Sequence, residues 1–133
     1  MKLENKVAIV TGGSRGIGYA TVEKFIKEGA KVCLTASSEA SAEKAVGKLK
    51  EAYPNADIMG IAPTLSSLES VQAEFAKVVE KYGRIDILVN NAGMSESTPL
   101  SAYTEELYDK VIDLNVKGVF TCSKVAADYM EKQ

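Results

Sequence analysis

The chain has 133 residues, 46% hydrophobic and 26% charged, with a formal net charge of −2 and no histidine. The length fits one domain with an ordinary core, and the interspersed charge argues against a nucleic-acid or membrane surface. Histidine-ligated metal sites and Ser-His-Asp catalysis are excluded within the chain, and no apolar window of about 18 residues predicts a membrane-spanning helix.

The N-terminal MKLENKVAIV places a glutamate before a short apolar run, unlike a secretory signal. Cys33 and Cys122 lie far apart without a CxxC pattern, which predicts reduced thiols in a cytoplasmic protein. KVAIVT, residues Lys6 to Thr11, reads as a strand buried on both faces. A helix follows the glycines, with Ile17, Ala20, Phe25 and Ile26 on one face and Gly29 at its end. KVCLT, Lys31 to Thr35, is the second strand. Ser38 or Ser41 caps the next helix, whose apolar face holds Ala42, Ala45, Val46 and Leu49.

ADIMGIA, Ala56 to Ala62, is the third strand. Ser66 or Ser67 caps a strongly periodic helix with Leu68, Val71, Phe75, Val78, Val79 and Tyr82, ended by Gly83. IDILVN, Ile85 to Asn90, is the fourth strand. A loop spans Ala92 to Thr104, and the chain reads as helical from Glu105 to Lys132 with a break or kink near Asn115 to Gly118. Strands alternating with helices predict an α/β fold: a three-layer, doubly wound parallel sheet with strand order 3-2-1-4. Ile87 to Val89 would expose apolar surface and unpaired backbone at a sheet edge, so the sheet is expected to continue with more chain or a partner.

TGGSRGIGYA, Thr11 to Ala20, joins the first strand to the first helix. Gly12 permits a tight turn, Gly16 a close backbone approach to a ligand, and Gly18 close helix packing. Free N–H groups at such a helix start favour an anion. A plain strand-to-helix turn remains an alternative on these residues alone, and no Gly-Lys-Ser/Thr follows as a Walker P-loop requires. A phosphoacceptor receiver domain shares the alternation but needs strand-end aspartate, where this chain carries Thr11, Thr35 and Asn90.

TGGSRGIG at Thr11 to Gly18 resembles the TGxxxGxG signature of the short-chain dehydrogenases/reductases. NNAG at Asn90 to Gly93 resembles the family's motif at the end of strand four, and Asn115 in LNVKGVF matches its helical asparagine. The resemblance covers essentially the whole chain and is nearest in style to bacterial 3-oxoacyl-(acyl-carrier-protein) reductases and hydroxysteroid dehydrogenases. It implies a Rossmann-type fold over residues 1–133, a nicotinamide cofactor, and hydride transfer between that cofactor and a carbonyl or alcohol. By resemblance, Gly12, Ser14, Arg15, Gly16, Ile17 and Gly18 cradle the pyrophosphate and adenosine ribose, and Asn91, Ala92 and Gly93 line the adenosine side. The main-chain carbonyl of Asn115 is implied to hold a water in a proton relay; its plainer role is an amide accommodating a helix kink. By the same resemblance a homo-oligomer is implied, paired through the helices after strands four and five, the first of which would be Glu105 to Lys132.

NAD-specific sites place an acid at the end of the second strand. That position is Ala36 here, and Ser37, Ser38 and Arg15 can receive a 2′-phosphate, so NADP is expected over NAD. Ser37 and Ser38 can instead cap the following helix. The arginine that many NADP-specific relatives carry just after this strand is missing. Thr64 stands where the family usually has an adenine-binding aspartate, with the Leu65 backbone as a further contact.

The family's reacting residues are a serine and a tyrosine followed four residues later by a lysine, which brings the tyrosine to a useful pKa. No tyrosine in this chain has a lysine four residues on; Tyr129 and Lys132 are one residue short. The chain therefore reads as the N-terminal portion of such an enzyme, inactive by itself, with Met94 to Thr98 as candidates for the floor of a substrate pocket. The alternative is a non-catalytic nucleotide-binding half-fold that self-associates.

Overall fold

A computed structural model describes all residues from Met1 to Gln133. Strands β1 (Val7–Val10), β2 (Lys31–Thr35), β3 (Ile58–Ile61) and β4 (Ile87–Val89) form one parallel sheet in the order β3-β2-β1-β4. Ala8 stands opposite Val32 on one side and Ile87 on the other, and Val32 stands opposite Ile58. The chain winds outward from β1 to β3, then returns to place β4 on the far side of β1. This reversal opens a crevice at the carboxyl ends of β1 and β4, where doubly wound folds bind ligands.

Alternation along the strands builds two cores. Val7, Ile9 and Cys33 point to one face and pack with Phe75, Val78 and Val125. Val10, Val32 and Leu34 point to the other and pack with Val22, Ala45 and Leu49. Helices α1 (Gly16–Lys27) and α2 (Glu39–Ala52) cover this second face. Helices α3 (Leu68–Tyr82) and α5 (Gly118–Glu131) cover the first.

The strands are shorter than their apolar runs. Single hydrogen bonds continue the ladder beyond β1, from Lys31 N–H to Lys6 O and from Thr11 N–H to Val89 O. At β4 the regular pairing begins only after Asp86, whose N–H donates to Val7 O. Ser38 caps α2 by accepting from Ser41 N–H, Ser67 caps α3 by accepting from Ser70 N–H, and Gly83 ends α3. The core residue of α1 is Val22, whereas Ile17, expected on the apolar face, is 80% exposed. Ile17 lies in the first turn, beyond the edge of the sheet.

The long C-terminal helical stretch is divided, as expected near Asn115. Helix α4 (Glu105–Ile112) runs into a π-helical turn (Asp113–Lys117) and then α5; Gly118 N–H bonds Asp113 O across five residues. The preceding loop holds one 3-10 turn at Leu100–Ala102. β4 is one edge of the sheet, and its three residues are only half-buried. No helix is long and apolar enough to cross a membrane.

Candidate functional site

The turn after β1 is anchored by three side chains. Thr11 Oγ1 accepts from Asn91 N–H and Ala92 N–H, both at 3.0 Å. Asn91 Nδ2 donates to Thr11 O at 3.1 Å and Gly12 O at 3.2 Å. Thr35 Oγ1 accepts from Gly12 N–H at 3.1 Å. The end of β4 is thus stitched to the end of β1, and β1 to β2. Gly18 sits so close beneath this turn that a Cβ there would lie 2.1 Å from Gly12 O and 2.5 Å from Asn91 Nδ2. Any side chain would force the helix start away from the strand ends.

Beyond the anchored residues the backbone N–H groups are unpartnered. The N–H groups of Ser14, Arg15, Gly16, Ile17 and Gly18 donate to nothing in the protein. Arg15 occupies the N-cap position without a side-chain cap. Gly16 has a φ of +59°, and a Cβ on it would meet no atom within 4 Å. Its open side lets another molecule approach the backbone closely. Unpaired amides at the start of a twelve-residue helix attract negative charge.

These groups border a cleft of about 770 Å³ at the carboxyl edge of the sheet. Gly12, Ser14, Arg15, Gly16 and Ile17 form one wall; Ser37, Thr64 and Leu65 stand across the strand ends; Asn91, Ala92 and Gly93 close the side at β4. Thr35, Ala36, Ser41, Ala62, Pro63 and Leu114 complete the lining. Arg15 is the only formally charged residue among them, and it makes no ion pair. Ala36 is 7% exposed and caps the carboxyl end of β2 without a carboxylate.

Gly18, Ser38 and Asn115 lie outside the lining. Gly18 packs beneath it. The Ser38 hydroxyl is engaged with Ser41, accepting from Ser41 N–H at 3.1 Å and pairing with the Ser41 hydroxyl at 3.0 Å. Asn115 lies within the π-helical turn, where Oδ1 accepts from Met94 N–H at 2.8 Å and Nδ2 donates to Met94 O at 2.7 Å. Its side chain therefore ties the irregular turn to the loop after β4. π-helical turns occur frequently at functional sites.

Several contributors were not singled out from sequence as site residues. Thr35 and Thr11 act through their hydroxyls, and Ser41 enters the cleft because Ser38, one turn earlier, is the cap. Their only sequence signal was a threonine at the end of each of two apolar runs and a third serine near a helix start. Thr121 on α5 is buried and donates to Leu65 O, fixing the cleft wall after β3 from below. Cys33 and Cys122 are both buried; desolvation pushes their thiols up, that of Cys122 to about 11, which disfavours thiolate chemistry at neutral pH.

A parallel sheet wound outward from β1, with a glycine turn opening on its switch point, defines a Rossmann-like, doubly wound α/β fold. Comparison narrows this to one family. A family model described as short chain dehydrogenase matches residues 6–133. The chain is 50% identical over 133 residues to a 3alpha-hydroxysteroid dehydrogenase of Mediterraneibacter gnavus, covering 100% of this chain and 53% of that protein. It is 39% identical over 133 residues to a 3-oxoacyl-(acyl-carrier-protein) reductase FabG of Thermotoga maritima, covering 100% of this chain and 53% of the reductase. A solved short-chain dehydrogenase/reductase of Serratia marcescens superposes with a TM-score of 0.87 at 33% identity, covering 97% of this chain and 52% of that one. The chain belongs to the short-chain dehydrogenase/reductase family, whose members here are oxidoreductases. It spans about half the length of the curated relatives it matches.

Proposed function

We propose that this chain forms the nucleotide-holding portion of an NADP-dependent oxidoreductase that interconverts a carbonyl and an alcohol. The observation that carries the NADP assignment is electrostatic: the cleft lining has one arginine and no carboxylate. A 2′-phosphate beside Ala36 would meet no like charge there, and Arg15 and Ser37 are available as partners. The unpartnered amides of Ser14 to Gly18 suit the pyrophosphate. Thr64 and Leu65 would border the adenine, and Asn91, Ala92 and Gly93 the adenosine on the β4 side. Ser38 would contribute by holding the start of α2 in place.

When bound, the nicotinamide ring supplies or accepts the hydride. This chain's residues bind and orient it, and Asn115 would present its main-chain carbonyl to a proton-relaying water while its side chain holds Met94. Met94 to Thr98 would form part of the substrate pocket. No tyrosine among residues 1–133 is followed four residues later by a lysine, so these residues alone would be inactive. Relatives named as a 3alpha-hydroxysteroid dehydrogenase and a 3-oxoacyl reductase direct the substrate proposal to hydroxysteroid-like or 3-oxoacyl compounds. We place the protein in the cytoplasm as a homo-oligomer, with a small-molecule substrate and no nucleic-acid or membrane partner.

The intact protein is expected to oxidise NADPH in the presence of a 3-oxoacyl thioester or a 3-oxosteroid. Turnover with neither, on protein that binds NADPH, would favour the second reading: a non-catalytic half-fold that self-associates. The exposed apolar side chains of the α4–α5 segment support that reading, since Val116 is 57% and Phe120 60% exposed.

A further inference from the structure

The first two N–H groups of the glycine turn, those of Gly12 and Gly13, are both taken by one residue. Thr35, the last residue of β2, is 2% exposed. Its Oγ1 takes the Gly12 N–H at 3.1 Å and its main-chain oxygen takes the Gly13 N–H at 3.0 Å. The next five N–H groups, Ser14 to Gly18, have no partner. The turn therefore has an anchored half and an open half, and the boundary falls where Thr35's two acceptors run out.

We propose that Thr35 is a positioning residue for dinucleotide binding, holding the Gly12 and Gly13 amides inward so that those from Ser14 to Gly18 remain the donors for a pyrophosphate. This rests on the reading of the cleft as a dinucleotide site. A buried N–H needs a partner. Without the Thr35 hydroxyl the Gly12 N–H is stranded, and a glycine peptide is free to rotate towards another acceptor. That rotation would carry the following amides out of register with the anion. The hydroxyl acts through the turn, so its loss should be felt by ligands that carry a pyrophosphate and not by those that lack one.

The test compares NADP, NAD and adenosine 2′-phosphate, which has no pyrophosphate, on the intact protein by calorimetry. Thr35→Val keeps the shape and removes the acceptor. It should weaken NADP and NAD alike by about tenfold, the worth of one hydrogen bond to a buried donor. Adenosine 2′-phosphate should be weakened less than about twofold, and Thr35→Ser should restore NADP binding. Unchanged NADP affinity in Thr35→Val, an equal loss for adenosine 2′-phosphate, or a Thr35→Ser as weak as Thr35→Val would each overturn the inference. A wild-type protein that binds neither dinucleotide would overturn the reading of the cleft itself, and this inference with it. Should Thr35→Val not fold, amide exchange in the unliganded wild type decides. Gly12 and Gly13 should exchange slowly and Ser14 to Gly18 fast; equal rates would contradict the sorting.

Discussion

The two flanks of β1 are built differently. On the β2 side every residue of Val7 to Val10 and Val32 to Thr35 is buried, and Thr35 holds the glycine turn from beneath, while Asn91 ties it to the end of β4. On the β4 side the strand is short and half-buried, and the α4–α5 segment leaves Tyr108, Val116, Val119 and Phe120 exposed. Dense packing on one flank holds the glycine turn against the sheet. The other flank carries apolar surface that this chain does not cover, which suits contact with further structure.

The comparison breaks most severely at Gly18. A Cβ at 2.1 Å from Gly12 O cannot be accommodated by a rotamer change. Gly18→Val is expected to cost about 3 kcal/mol or more, measured by urea unfolding. Asn91→Ala comes next, because it strands the carbonyls of Thr11 and Gly12 while leaving the sheet intact. A loss of about 2 kcal/mol is expected in the same experiment. On the open flank the sign of the comparison reverses: Phe120→Ser should change stability by no more than about 0.5 kcal/mol yet shift the sedimentation profile towards smaller species. A large stability loss there would mean that Phe120 belongs to the fold's own core.

The smallest effect is a pH dependence at the foot of β1. Burial raises the Asp86 carboxyl, but the Val7 N–H at 2.9 Å and the Arg84 guanidinium at 2.8 Å outweigh it and hold it below the usual range. A depressed folded-state pKa stabilises above the unfolded value and is lost as pH falls through the folded one. Stability should therefore decline below about pH 4, and Asp86→Asn should flatten that part of the acid-unfolding curve. An unchanged curve would remove Asp86 from the account.

Much of the architecture was legible because burial and periodicity agree. VAIV (Val7 to Val10) and VCL (Val32 to Leu34) are apolar at every position, as strands covered on both faces must be, and the spacing from Leu68 to Tyr82 matches a helix lying on the sheet. Ile17 misled because an apolar side chain in the first turn can face the cleft instead of the core. The break near Asn115 was visible, but the bridge from its π-helical turn to Met94, twenty-one residues away, is not encoded in local pattern. Within the site, glycine spacing revealed the turn. The hydroxyls that anchor it were hidden, since a threonine at a strand end reads as ordinary strand chemistry until its partner's position is known.

The most direct test of the central claim is a paired titration of the intact protein with NADP and NAD, repeated on Ala36→Asp. The wild type should prefer NADP, and Ala36→Asp should weaken NADP by at least about tenfold while leaving NAD within about threefold, because the new carboxylate repels only the 2′-phosphate. A wild type that prefers NAD, or a variant that loses both dinucleotides equally, would contradict the account.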